Sequence, residues 1–448
     1  MSETGLKREL RLIDVWGLAL GAIIGWGCFV LPGTSFLPKA GPLGTALGLL
    51  LGAVIIVLIS LSYGYLIQKY PVSGGEYEYV KQAFGKRHAF VCGWFIVLAY
   101  WSLIPLNATA IAMIARFIFP GVIQVGKLYT VAGWDVYLGE IGVASAFIIL
   151  IGLVNITGAR RAGRLQSMIA ILLVGSIVVT TAGVCMTGPD LRNLQPGFGT
   201  SMSPVAGIFA VVAYAPYCFI GFDCIPQSAE EYRFSHRKST VIMVSAILIA
   251  AVLYMAVSLV TAVVEPWREM LASEPLWATG AMIEKALGRG GVWCIGIAML
   301  CAVTSGINAF YLSTSRLMYA MAKQKALAKS FGTLNPKYAT PGRAILFSMA
   351  LALIAPWFGR QVLVWITDMT AVGGAMAFCY TTAAAGVLAG RNGDKKQSVL
   401  GFAGCLAASV FLILSFVPGM PGFLSVPSFV CLFLWIFAGV IAYMRREK

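Results

Sequence analysis

Charge is what this sequence has least of. Only 11% of its 448 residues are Asp, Glu, Lys or Arg, against roughly 25% in an ordinary soluble domain. That scarcity excludes a soluble globular protein. Histidine is scarcer still: His88 and His236 stand far apart in sequence, each near the end of an apolar segment, so a histidine-built catalytic or metal site has no material. The ten cysteines form no Cys-x-x-Cys and fall in or beside apolar runs, as small buried residues do, rather than disulfides or metal ligands. No metal, cofactor or catalytic residue is expected, and an integral membrane enzyme is the remote alternative. With no Gly-x-x-x-x-Gly-Lys-Ser/Thr in the chain, ATP-driven work would require another subunit. Short alternating segments of the kind that build outer-membrane barrels are missing as well. The amino terminus mixes acids with bases and lacks a cleavage pattern, so no removable signal is expected.

What the chain does have is apolar length. Hydrophobic residues make up 59% and the mean hydropathy is +0.84, arranged in segments of about 17 to 30 residues, enough for a helix to cross a hydrocarbon core. Twelve spans are expected, the first at about residues 12–38 and the last at about 424–443. The net charge of +15 does not point to nucleic acid, because Lys and Arg lie in short clusters between spans. With the amino terminus placed inside, 24 basic residues, among them Lys7, Arg160, Arg161, Lys323 and Arg446, fall on the inner side and 8 on the outer. That asymmetry predicts a multi-pass protein of the cytoplasmic or plasma membrane with both termini cytoplasmic.

Two spans are spoiled as helices. In Ala22-Ile23-Ile24-Gly25-Trp26-Gly27-Cys28-Phe29, two glycines weaken the helix where no water can take up freed backbone groups. Such irregularity is tolerated only against protein or a polar cavity. The sixth span, about 204–230, carries Pro204, Pro216, Gly221, Asp223 and Pro226, which break rather than bend a membrane helix. Breaks in spans one and six predict two five-span halves, about 12–187 and 204–390, in opposite orientation. This is the inverted-repeat plan of secondary transporters. Residues 391–448 add two further spans and a basic tail.

Elsewhere, Asp14 suits a helix start, Ser73-x-x-Glu76 fits a capping box, and Tyr100 and Asn107 sit mid-span in the third segment. Thr304, Ser305, Asn308 and Arg316 share the eighth segment. Polar groups at such depth face the bundle interior.

Taken in order, several stretches resemble the amino acid, polyamine and organocation (APC) superfamily of secondary transporters. They are Gly25-Trp26-Gly27 with Pro32-Gly33, then Tyr70-Pro71-Val72-Ser73-Gly74-Gly75-Glu76-Tyr77, Phe219-Ile220-Gly221-Phe222-Asp223 and Ser315-Arg316-Leu317-Met318-Tyr319. In motif the chain is similar to cationic amino acid transporters and bacterial amino acid or amine permeases. The resemblance implies that backbone N–H groups at Gly25, Trp26 and Gly27 receive a substrate carboxylate, as half-helix starts favour anions. It also implies that carbonyls at Ala22, Ile23, Cys218 and Phe219 receive an ammonium. It puts Tyr217 at an aromatic gate and Asp223, beside Gly221, at an acidic position implicated in proton sensing; Tyr100, from its mid-span place, is a further candidate to close over the substrate. An inner gate would pair Arg316 with Glu230, Glu231 or Asp14. Sodium coupling would run through Thr304, Ser305 and carbonyls of the first span. Three departures stand out: Trp26 where the family commonly has a small residue, Leu173 where several members carry a lysine, and Tyr65 where a glutamate is usual. The expected function is alternating-access transport of a small amino acid by proton symport or exchange, with a biogenic amine as the rival substrate and a receptor without translocation as a less favoured class.

Overall fold

The computed structural model describes residues 8–131, 134–359 and 361–445. Of the basic residues that set the expected orientation, Lys7, Arg360, Arg446 and Lys448 lie outside them.

The chain is helical almost throughout. Helix α1 (Leu12–Ile23) stops at Ile24, and the short α2 (Gly27–Leu31) passes through a π-helical turn at Pro32–Phe36 into α3 (Leu37–Lys69). As one rod the 58 residues from 12 to 69 would reach about 87 Å, far beyond a bilayer core of about 30 Å. The chain relieves this at Gly41, whose φ of 69° is left-handed and is followed by Pro42, which has no N–H to give. Gly41 abuts the backbone at Phe198 and Gly199 so closely that any Cβ would clash.

Then come α4 (Gly75–Phe84) and α5 (Lys86–Ile118), followed by an antiparallel hairpin of β1 (Lys127–Val131) and β2 (Trp134–Tyr137) that leads into α6 (Leu138–Ile156) and α7 (Ala159–Met186). The sixth apolar segment is divided into α8 (Pro204–Val212), α9 (Ala215–Phe219) and α10 (Cys224–Gln227). After α11 (Lys238–Val263) and α12 (Trp267–Ala272) comes α13 (Ala278–Lys323), bent at Gly288 with φ of 65°. Helices α14 (Gly342–Ala352), α15 (Gln361–Arg391), α16 (Lys395–Phe416) and α17 (Val426–Met444) complete the chain. Among the described residues, ten helical runs are long and apolar enough to cross a membrane.

Burial sorts these helices into a centre and a rim. In their most apolar windows the share of buried residues is 78% for 86–118 and 72% for 204–227, but 33% for 395–416 and 17% for 426–444. The last two therefore present most of their side chains to lipid, which explains exposed Leu406, Val426 and Phe433. Helix α13 packs along α5 and α7, while α1 lies among α7, α11 and α13. The interrupted segments are thus enclosed by continuous helices.

Helix α17 is fastened to α5 by two indoles. Trp94 and Trp435 stack at 4.7 Å, each donating its Nε1–H to the other's backbone carbonyl, at 3.0 and 3.2 Å. At one end of the bundle, Arg116 is clamped between the Glu140 carboxylate and the face of Trp134, 4.2 Å from its ring centre. The hairpin and this clamp were not expected from the sequence.

Candidate functional site

The two interruptions touch. In the first, Ile24 leaves helical geometry (ψ 82°) and the Gly25 N–H turns back onto Ile23 O at 3.1 Å. The Trp26 N–H reaches only Asn107 Oδ1, at 3.4 Å, beyond the usual length of such a bond. In the second, residues 220–223 separate α9 from α10 around Gly221, whose φ is 129°. A Cβ on Gly221 would stand 2.6 Å from Ala22 Cβ and 2.7 Å from Ile23 N, so only glycine lets these backbones meet. A Cβ on Gly27 would come within 2.8 Å of the Tyr217 ring, and Trp26 meets Tyr217 edge-on at 6.4 Å. The structure therefore brings Ala22, Ile23, Gly25, Trp26, Gly27, Tyr217 and Gly221 together, with Cys218 and Phe219 on the α9 turn beside them. All but half-buried Gly25 are buried.

One atom in this cluster is unsatisfied. The Trp26 indole Nε1–H is buried and has no acceptor, a condition that costs about 1–3 kcal/mol if nothing fills it. Tyr254, which the sequence reading did not single out, brings its hydroxyl to 3.5 Å from Ile23 O. No motif marks it, because its role depends on α11 packing against α1.

Tyr100 does not line this cluster. Fully buried, its hydroxyl donates to Asp223 O at 3.0 Å and faces Glu76 Oε1 at 3.4 Å. Asp223 turns its own carboxylate back onto the Gly221 N–H, Oδ1 accepting at 2.7 Å, while Oδ2 has no partner. The capping box expected at Ser73-x-x-Glu76 is not formed. Helix α4 starts from Gly74 in a left-handed conformation without a side-chain cap, and Glu76 is turned inward, where Gln227 Nε2 donates to its Oε2. A local spacing fits a cap, but burial against α10 decides the rotamer.

The charged candidates separate into distinct contacts. Arg316 holds Glu231 in a two-pronged pair, Nε to Oε1 at 2.8 Å and Nη2 to Oε2 at 3.2 Å, both side chains almost wholly buried. Glu230 accepts the Ser73 N–H at 3.0 Å. Asp14 is not joined to Arg316; it takes the Arg11 guanidinium and backbone N–H and the Ser167 hydroxyl. Its neighbour three residues back is simply closer.

Ser305 is bound to protein. Gln166 Nε2 donates to its Oγ and to Gly17 O at 3.1 Å, and Asn308 Nδ2 donates to Gln166 Oε1 at 2.7 Å. Asn155 extends the chain to Asn308 at 2.9 Å. Gln166 thereby ties α1, α7 and α13 together. Thr304 is half-buried beside this network, and Leu173, two turns further along α7, is an ordinary core residue. An uncharged amide inside an apolar run gave no sequence signal.

A bundle of membrane-crossing helices around two interrupted ones that abut at their breaks defines the class of polytopic helical transporters. The chain belongs to the amino acid permease family, whose profile matches residues 10–442. It is 25% identical to the methylthioribose transporter of Bacillus subtilis over 99% of this chain and 94% of that one. To the branched-chain amino acid permease of the same organism it is 28% identical, covering 77% of this chain and 73% of the relative. To the mouse cationic amino acid transporter 4 it is 29% identical over 81% of this chain and 57% of the relative. These relatives are transporters and permeases, not enzymes.

Proposed function

We propose that this protein moves a small amino acid across the membrane by alternating access, and that the meeting point of the two broken helices is where the substrate sits. The observation that carries the reading is the close approach of Gly221 to Ala22 and Ile23 beside the unsatisfied Trp26 indole N–H. A carboxylate accepts from that indole and from the Trp26 and Gly27 N–H groups at the start of α2. An ammonium is received by the carbonyls of Ala22, Ile23 and Cys218 at helix C-terminal ends. Tyr217 covers the site from one side.

The architecture read with this function is twelve spans in two inverted halves of five, about 12–187 and 204–390, with α16 and α17 added and both termini cytoplasmic. Folding back at Gly41 supplies one of the additional crossings, and the apolar helix Gly342–Phe358 supplies another. The end that carries Glu231–Arg316 and Glu230–Ser73 is then the inner gate, closed in this conformation. Proton coupling or exchange is favoured over sodium, because the oxygens of Ser305 and Gly17 that a sodium ion would need already accept from a neutral amide. An amine such as putrescine is the second reading, favoured by the partnerless Asp223 Oδ2.

Counterflow in proteoliposomes tests both. Labelled uptake is expected to be competed by alanine or by branched-chain or cationic amino acids. Competition by amines alone would move the assignment to the second reading, and specific binding with no exchange would leave a receptor.

A further inference from the structure

Glu76 is a carboxyl group in an unusual position. It has no exposed surface, and among the described residues none of the ion pairs includes it. The cations close in sequence or space are already engaged: Lys81 by Glu78, and Arg316 of α13 by Glu231. The ionisable groups that face Glu76 are Asp223 and Cys224 around α10, Tyr63 of α3, Cys92 and Tyr100 of α5, and Tyr79 on its own helix. Helix α15, which also packs on α4, brings Tyr380, whose hydroxyl lies 3.4 Å from His88 instead.

The hydrogen-bond pattern says where a proton belongs. Tyr100 has one hydroxyl proton, and its better acceptor is Asp223 O at 3.0 Å. Its oxygen is then left facing Glu76 Oε1 at 3.4 Å, which sets two acceptors against each other unless Oε1 carries a hydrogen. Glu76 Oε2 already accepts from Gln227. Two more acceptors in the same buried cluster, Asp223 Oδ2 and Gln227 Oε1, have no donor at all. The Tyr63 and Tyr79 hydroxyls beside Glu76 lack partners as well, so what decides the protonation is the absence of a cation: two carboxyls buried side by side cannot both ionise, and the cluster holds a proton on its acids.

We propose that Glu76 is the site that takes up and gives back the coupling proton, with the Tyr100 oxygen as its partner when loaded. The inference rests on the transport reading above but on none of its substrate contacts. Its mechanical meaning follows from where Gln227 sits. The short stretch from Gln227 to Arg233 also carries Glu230 to Ser73, Glu231 to Arg316, and the backbone bonds from Glu9, Leu10 and Arg233 that dock the segment before α1. Loss of the Glu76 proton leaves a carboxylate with the Gln227 amide but no cation in a dry pocket, and the cost is relieved by parting α4 from α10 and admitting water. Proton binding therefore favours the state in which this end is closed, and by linkage closing it tightens proton binding. Burial holds the Glu76 carboxyl well above the usual carboxylate range, and the adjacent Asp223 pushes it the same way.

The experiment compares wild type, Glu76→Gln and Gln227→Leu as full-length protein. In proteoliposomes, proton entry accompanying amino acid uptake is followed with a pH dye. Glu76→Gln is expected to cut it at least tenfold and to flatten the pH profile of uptake. In detergent, wild-type melting temperature is expected to fall as pH rises, because a group with a raised folded-state pKa stabilises below that value and loses the contribution above it. Glu76→Gln removes that slope. Gln227→Leu takes away a donor to the ionised form, so the midpoint moves to higher pH; this variant decides the matter if Glu76→Gln does not fold. Unchanged proton entry and an unchanged melting profile in Glu76→Gln, or an unmoved midpoint in Gln227→Leu, overturn the proposal. If wild type exchanges no amino acid while the melting slope still depends on Glu76, the transport reading fails and the proton site stands.

Discussion

The two interruptions solve the same problem by different means. The first spans three residues, 24–26, contains no ionisable group, and offers donors: the Trp26 backbone N–H and its indole. The second is longer, divides its segment twice, and is rich in acceptors, with Asp223 folded back on the Gly221 N–H. The first break is shaped by glycine alone, whereas Pro204, Pro216 and Pro226 each remove an N–H along the second. Donor-rich and acceptor-rich faces set against each other are complementary to a zwitterion. Under the proposed function the difference also assigns labour: the first break would meet the substrate, while the second would both meet it and pass its state on to Gln227, Glu230 and Glu231.

The sharpest way to break that complementarity is at Gly221. In Gly221→Ala the new methyl meets Ala22 Cβ and Ile23 N below 3 Å at a φ of 129°, a combination of backbone strain and overlap worth about 2–4 kcal/mol. Uptake by the purified, folded variant is expected to fall ~100-fold or more. Gly27→Ala meets side chains alone, Tyr217 at 2.8 Å and Leu31 Cδ1 at 3.3 Å, and side chains can pivot where backbone cannot. Its loss is expected at about tenfold, about 1.4 kcal/mol, and Tyr217→Leu in the same background should restore part of it. Trp26→Phe keeps the backbone donors and the bulk but removes the indole N–H. A hydrogen bond of about 0.5–1.5 kcal/mol should raise KM by roughly 2- to 10-fold with little change in maximal rate. The smallest effect is expected outside both breaks: exchanging sodium for choline should alter uptake by less than about twofold, since Gln166 fills the oxygens of Gly17 and Ser305. A strong sodium requirement would instead mean that this amide swings away in another conformation.

The breaks were legible because glycine and proline are costly inside a membrane helix, so Gly25, Gly27, Pro216 and Gly221 mark irregular backbone whatever surrounds them. Arg316 was legible as a buried cation in need of an acid, and Glu231 was among the three acids named for it. What could not be read depends on contacts made across long stretches of sequence. Glu76 meets Gln227 151 residues away, and nothing in Ser73-Gly74-Gly75-Glu76 distinguishes an inward rotamer from a cap. Gln166 lies 139 residues from Ser305 and is uncharged. Asp14 was legible as a helix-start acid and lies in the first turn of α1, but the gate pairing also named for it is not formed, because Arg11, one turn away, takes its carboxylate. Tyr100 was named as a cover for the substrate, yet its hydroxyl reaches Asp223 O and faces Glu76, 123 and 24 residues away.

The paired indoles of Trp94 and Trp435 carry a lesson about what stays still. Each indole is hydrogen-bonded to the backbone of the opposite helix and stacked on its partner ring, so slipping by a single residue would forfeit both bonds at once. Such a rivet has one register. The final helix must then travel with Lys86–Ile118 as a single strut, and a spectroscopic probe near Met444 would serve as a fixed landmark from which the swing of the broken segments can be measured.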